Sequence, residues 1–252
     1  MAEQGDKARL FAALHRPGDP LVLYNAWDAG SAKAVAEAGA KAIATGSASV
    51  AAAHGFHDAE ALPLDLALAN AARVAAAVEL PVSIDFEGAY GVEPESVAVN
   101  MRRLAETGSI GCNFEDQVIG GEGLHSVEAQ SARIRAARAA VGPDFFINAR
   151  TDIFLKTRAQ THDPSKIEEA IARARAYAEA GASGFFVPGL VDLDQLARIC
   201  SASPLPVNFM AFPGAPAAGA VAAAGVARIS HGPFPHKLAT EALKAAAEAI
   251  YG

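Results

Sequence analysis

Asp85 and Glu87 stand two residues apart at the end of a short apolar run, 82–87, and Glu115 sits near the end of another, 111–116. Residues i and i+2 of an extended segment share a face, so this spacing turns Asp85 and Glu87 the same way. Three carboxylates brought together repel one another unless a cation lies between them. An all-oxygen donor set suits Mg²⁺, with Mn²⁺ as its substitute, rather than Zn²⁺. No His–Cys cluster with zinc spacing occurs. The plainer use of the same carboxylates is to cap helices or pair with surface Lys and Arg, and the pattern alone leaves both readings open.

Arg150 ends an otherwise apolar run, 145–152. A buried guanidinium needs an anion, either a protein carboxylate or a bound ligand. Thr45-Gly46-Ser47 is a small-residue turn whose amides can cradle a carboxylate, or simply a tight turn. His231 ends the last apolar run, where an imidazole serves equally as acid–base group or core residue. His54 and His57 read as members of a solvated loop. Trp27, at the end of the first run, and Asn208, on the seventh, complete the candidate substrate-binding set.

These residues need a frame that gathers strand ends. Eight β-like runs, 21–27, 42–47, 82–87, 111–116, 145–152, 184–189, 207–212 and 228–232, are short and mostly apolar, as buried parallel strands are. Ala-rich helical stretches lie between them, among them 31–38, 66–78, 94–106 and 167–180. Gly39, Gly108, Gly181 and Gly225 each close a helix just before a strand, forming a weak internal repeat. Asp163-Pro164 reads as an N-cap followed by proline at the first helical position. This alternation predicts an α/β fold, a single (β/α)8 TIM-type barrel spanning 1–252, with its chemistry at the C-terminal strand ends. An open doubly wound sheet is the competitor, but no glycine-rich dinucleotide fingerprint follows the first strand.

Bulk properties narrow the partners. The 252 residues are 52% hydrophobic with a formal net charge of -7, which disfavours nucleic acid and anionic membranes. No apolar run is long enough for a membrane span, and residues 1–16 lack the apolar stretch of a signal peptide. Cys112 and Cys200 form no disulfide framework and read as buried thiols in a reducing, cytoplasmic setting.

Three ordered pieces carry a family resemblance. Asp85-Phe86-Glu87-Gly88-Ala89-Tyr90-Gly91 resembles D-x-D-x-G-[YF]-G, the stretch from Gly108 to Gln117 resembles G-x-x-G-x-x-x-E-D-Q, and Ala149-Arg150-Thr151-Asp152 matches A-R-T-D. Together they resemble the isocitrate lyase/phosphoenolpyruvate mutase superfamily from about Leu21 to the end. The resemblance implies a Mg²⁺ held by Asp85, with Glu87, Glu115 and Asp58 gripping its water shell. It implies a pyruvate-like 2-oxo carboxylate whose carboxylate meets Thr45-Gly46-Ser47 and whose 2-oxo oxygen meets the metal and Arg150. It also implies homotetramers, or dimers, with C-terminal helices packed on a neighbour.

Two departures matter. Glu87 stands where the family's second Asp is usual. The lyase stretch K-[KR]-C-G-H reads here Ile119-Gly120-Gly121-Glu122-Gly123-Leu124-His125, without its Lys and Cys. The expected activity is therefore a Mg²⁺-dependent carbon–carbon lyase or decarboxylase of the oxaloacetate decarboxylase kind, working through a pyruvate enolate. His231 or His125 would supply its proton, and Glu122 on the lid stands as the thiol's replacement. A phosphonopyruvate-type phosphorus–carbon enzyme and a non-catalytic carboxylate-binding barrel are the alternatives. In the last helix, Leu238, Leu243, Ala246, Ala247 and Ile250 form an apolar stripe that covers either the barrel's own wall or a neighbouring subunit.

Overall fold

The computed structural model describes residues 2–157 and 163–252. Among them run α1 (Ala2–Ala13), β1 (Leu21–Leu23), α2 (Ala29–Glu37), β2 (Ile43–Ala44), α3 (Ser47–Ala53), α4 (Leu64–Ala77), β3 (Val82–Asp85) and α5 (Pro94–Glu106). There follow β4 (Gly111–Glu115), α6 (Val127–Val141), β5 (Phe146–Arg150), α7 (Pro164–Glu179), β6 (Gly184–Phe186), α8 (Leu193–Ala202), β7 (Val207–Met210), α9 (Ala218–Ala223), β8 (Arg228–Ser230) and α10 (Phe234–Tyr251). All strand pairs are parallel, in the order β1-β8-β7-β6-β5-β4-β3-β2. The circle closes just beyond β1, where Ala26 bridges Thr45. There the Ala26 amide donates to the Ala44 carbonyl at 2.8 Å. The α/β barrel expected from the alternating pattern is the observed fold.

The strands are shorter than the apolar runs that announced them. The run 42–47 leaves the ladder after Ala44, because Ser47 already opens α3. The run 82–87 stops at Asp85, and Glu87 takes a left-handed backbone, φ 50°. Helix boundaries follow local chemistry. Asp28 and Ser31 form a reciprocal capping box at α2. Asp163 caps α7 ahead of Pro164. The four glycines of the repeat all adopt positive φ, as a helix-ending C′ residue requires.

Two apolar layers hold the barrel. One lies between the sheet and its helices, with Val97, Met101, Ile134, Ile167 and Leu196 facing Ile84, Phe114, Ile147 and Phe185. The other fills the floor of the barrel, where α1 sends Phe11 against Leu21, Leu23, Ala44 and Phe146. Each large apolar side chain so buried contributes roughly 1.5–3 kcal/mol. Above that floor the interior turns polar, with Ser83, Asn113, Asn148, Asn208 and Arg228 all buried.

Helix α10 differs from the others. Leu238, Leu243 and Ile250 are 61%, 71% and 79% exposed. On the outer wall, Val22 and Tyr24 of the β1 segment are also exposed, beside a groove of about 390 Å³ flanked by Leu14 and Val35. The stripe therefore does not cover the barrel's own wall. No helix among the described residues is long and apolar enough to cross a membrane.

Candidate active site

A cavity of about 190 Å³ opens at the C-terminal ends of the strands. Asp58, Asp85, Asn113 and Arg150 form its polar side, with Gly46, Ser47 and Ala48 at one edge; Leu155, Phe186 and Met210 form an apolar side. The larger groove on the outer wall brings together no comparable set of carboxylates. This is where a barrel places its chemistry.

Asp85 is the last residue of β3, and its carboxylate is aimed by two donors. The Ser47 amide reaches Oδ2 at 3.0 Å, and Asn113 Nδ2 reaches Oδ1 at 3.3 Å. The Asp85 amide in turn donates to Thr45 Oγ1 at 3.0 Å. The Thr45-Gly46-Ser47 turn is thus partly committed to Asp85: Thr45 lies behind the cavity wall, while Gly46 and Ser47 remain on it. Asp58 comes from the loop after α3. Burial, then the charge of Asp85, raises its carboxyl, and a Ser47 side-chain hydrogen bond works the other way.

Arg150, at the end of β5, finds its anions in the protein. Its Nη1 meets Glu115 Oε2 at 2.9 Å, and its Nε and Nη2 grip both oxygens of Asp152 at 2.6 and 2.9 Å. Such a bidentate fork holds the guanidinium plane in one orientation. Burial opposes the charge, but Glu115, Asp152 and Asp85 outweigh it, and the Arg150 pKa rises. Glu115 is buried, which raises its carboxyl strongly against the pull of Arg150.

Glu87 departs from the expected alignment with Asp85. It lies beyond β3, and its Oε2 accepts the Glu60 amide at 2.7 Å. Burial, then the charge of Asp58, pushes its carboxyl up to about 8. Glu60 also fastens this loop, its Oε1 accepting the Tyr90 amide at 2.7 Å. Behind them Arg133 donates to the Gly88 and Gly91 carbonyls at 2.6 and 3.0 Å. Neither Glu60 nor Arg133 belongs to the expected site. Only their contacts across loops distant in sequence reveal them. Asn113 was within reach of the sequence, two residues before Glu115 and therefore on its face.

Several expected residues are not brought to the cavity. His231 follows inward-facing Ser230 and turns away; its Nδ1 lies 3.0 Å from the Leu23 carbonyl and its ring 5.1 Å from that of Tyr24. Asn208 is buried below, donating to the Phe209 carbonyl at 2.7 Å and accepting from Asn148 at 3.1 Å. Trp27 packs near His236, ring centroids 5.0 Å apart. Glu122 and His125 sit on the loop after β4, which does not line the cavity. His125 is anchored through its backbone, its amide donating to the Asp116 carbonyl at 2.8 Å. Gly120 and Gly123 frame Glu122 with left-handed φ of 72° and 74°, leaving the loop free of side-chain constraint at both points. Neither cysteine reaches the site: burial pushes the Cys200 thiol up to about 12 and Cys112 higher still.

Among the described residues no three His, Cys, Asp or Glu side chains form a ready cage for an ion. Glu87 is held by the Glu60 amide and Glu115 by Arg150, so both stand back from the cavity behind Asp85. Asp85 and Asp58 reach the cavity; beyond burial, their charges help to raise Glu87, and those of Asp85 and Glu87 help to raise Glu115. An all-oxygen set with one or two carboxylates in reach fits Mg²⁺, which keeps several of its waters.

Comparison with known proteins finds relatives over most of the chain. A candidate phosphonomutase from Burkholderia cenocepacia J2315 superposes with a TM-score of 0.95 at 47% identity, over 98% of this chain and 99% of that one. An uncharacterized protein of Mycobacterium tuberculosis is 36% identical over 241 residues, 95% of this chain and 88% of its own. The 2-methylisocitrate lyase of Escherichia coli K12 is 29% identical over 214 residues, 77% of this chain and 70% of that enzyme. The phosphoenolpyruvate phosphomutase family model matches residues 11–251. The chain therefore belongs to the phosphoenolpyruvate phosphomutase family, within a superfamily of lyases, mutases and hydrolases that act on small carboxylates and commonly use Mg²⁺.

Proposed function

We propose that residues 1–252 form one catalytic domain, a Mg²⁺-dependent carbon–carbon lyase or decarboxylase. Its substrate is a small 2-oxo or 2-hydroxy dicarboxylate, and its path runs through a pyruvate enolate. The observation that carries this reading is the pairing of an oriented Arg150 with Asp85 and Asp58 on one cavity of about 190 Å³, a volume suited to a small acid.

A divalent cation at Asp85 supplies Lewis-acid stabilisation of negative charge on a substrate oxygen. Arg150, fixed by Asp152 and Glu115, presents its charge to the same oxygen without reorganising. Gly46, Ser47 and Ala48 form the edge that receives the substrate carboxylate. Decarboxylation then breaks the bond to the departing carboxylate. CO₂ leaves, the electron pair passes toward the 2-oxo oxygen, and the enolate takes a proton at carbon from water. No thiol is required, in keeping with two cysteines away from the cavity. Glu122 and His125 enter the chemistry only if their loop closes; His231 is assigned no role.

The kinship with a candidate phosphonomutase supports the phosphorus–carbon alternative. One assay separates them. Oxaloacetate, isocitrate, 2-methylisocitrate and phosphonopyruvate are offered with Mg²⁺, and pyruvate, glyoxylate, succinate and phosphate are measured. Without a general acid–base thiol, oxaloacetate turnover should exceed isocitrate cleavage by about 10²-fold or more. Robust isocitrate cleavage would overturn the reading, and turnover of phosphonopyruvate alone would select the alternative.

For assembly, we propose a homo-oligomer, dimer or tetramer, in which α10 of one copy covers another copy's outer wall. The exposed stripe on α10 and the exposed Val22 and Tyr24 support it.

A further inference from the structure

Directly below the carboxylates, β8 turns Arg228 into the barrel. It is 1% exposed and the largest fully buried side chain among the described residues. Its guanidinium makes one hydrogen bond among the described residues, Nη2 to Asn113 Oδ1 at 3.3 Å. Among the described residues Nε and Nη1 have no partner, and no carboxylate forms an ion pair with it. It contrasts with Arg150, which is paired twice.

The surroundings do not neutralise it. Phe11 offers its ring 5.9 Å below. His15, just after α1, adds no charge, because burial and the nearby Arg228 push it down to about 3. Asn148 donates to Asn113 Oδ1 at 2.9 Å, so the amide between Arg228 and Asp85 is held from two sides. Asn113 passes its own N–H to Asp85. Asp85 is the first of the groups whose charge favours the Arg228 cation, against a burial that pulls its pKa down to about 10. A cation stripped of water and left unpaired is costly. Arg228 therefore answers to Asp85 above, joined to it through Asn113.

We propose that Arg228 is a buried counter-charge that sets how tightly the carboxylate site above it holds a divalent cation. The proposal rests on the metal site read at Asp85. In the metal-free protein Arg228 offsets the charge of Asp85, the carboxylate it reaches through Asn113. A cation entering above would be repelled by Arg228 through the buried, poorly screened interior, and would be held loosely enough to exchange. Because Asn148 and the Ser47 amide stay in place, removing Arg228 leaves Asp85 aimed as before. Charge, not geometry, is what changes.

The test is Mn²⁺ binding to the full chain, followed by calorimetry and by the electron paramagnetic signal of free Mn²⁺. Wild type, Asp85→Ala, Arg228→Met, Arg228→Gln and Arg228→Lys are compared. Both neutral variants should bind Mn²⁺ about tenfold more tightly or better, with Arg228→Lys close to wild type. Their melting temperatures should also rise more on adding Mn²⁺ than wild type's does. A merely structural arginine would lower the melting temperature equally with and without metal. Arg228→Gln keeps a polar head toward Asn113 and serves if Arg228→Met does not fold. Equal or weaker Mn²⁺ binding by a folded neutral variant would overturn the proposal alone, as would failure of both neutral variants to fold. Wild-type protein that binds no Mn²⁺, or binds it as well after Asp85→Ala, would instead overturn the metal site itself.

Discussion

Glu87 carries the clearest pH signature of the molecule. In the metal-free fold its carboxyl is pushed from 4.5 up to about 8, first by burial and then by Asp58. Between those values the folded chain keeps a proton that the unfolded chain has released. Stability must therefore fall as pH rises through that window. Asp58 and Glu115 are also raised and act in the same sense. Melting curves in EDTA should move to lower temperature from about pH 5 to about pH 8, and Glu87→Gln should flatten the slope. A curve that rises over this range would contradict the assignment. Mg²⁺ favours the ionised carboxylates, so its binding near neutral pH should release protons, read as a calorimetric heat that depends on the buffer. The carboxylates themselves were visible in the sequence as strand-end residues. Their partners were not, because Glu60 and Arg133 reach Glu87 and Gly88 only through tertiary contact.

The elements follow the alternation of short apolar runs and helical stretches. The runs read as strands 5–8 residues long gave ladders of 2–5 residues. The residues shed from each run became the functional loops, since apolar composition marks burial and not the end of hydrogen bonding. Two loops at this end of the barrel, one after α3 and one after β3, are unusual. Ala59, Glu60, Glu87, Ala89 and Tyr90 all adopt positive φ, each at some cost for a residue with a side chain. Glu60 ties the two loops together, and Arg133 ties the second of them to α6. Truncating buried Arg133 to Ala frees the carbonyls of Gly88 and Gly91 and should cost about 2–4 kcal/mol, read by urea unfolding. A loss under about 0.5 kcal/mol would show that the loop holds itself. No helical or strand period encodes such a clamp, which is why the sequence offered no sign of it.

At the scale of the whole molecule, the barrel was readable from eight runs and four helix-ending glycines, whereas the place of α10 was not. Its apolar stripe suited either covering surface, and the structure leaves Leu238, Leu243 and Ile250 in the open. Light scattering of the pure protein should give a dimer or tetramer. Leu243→Glu with Ile250→Glu should shift it toward monomer while the barrel stays folded. A wild-type monomer at micromolar concentration would refute the assembly.

The central claim is that Asp85 and Arg150 bound one site, shared by a divalent cation and a 2-oxo carboxylate. Calorimetric titration with oxalate, a mimic of the pyruvate enolate, tests it most directly. Oxalate should bind with Mg²⁺ present and lose at least about tenfold in affinity in EDTA or after Asp85→Ala, that variant remaining folded. Equal affinity with Mg²⁺ and in EDTA would contradict the account.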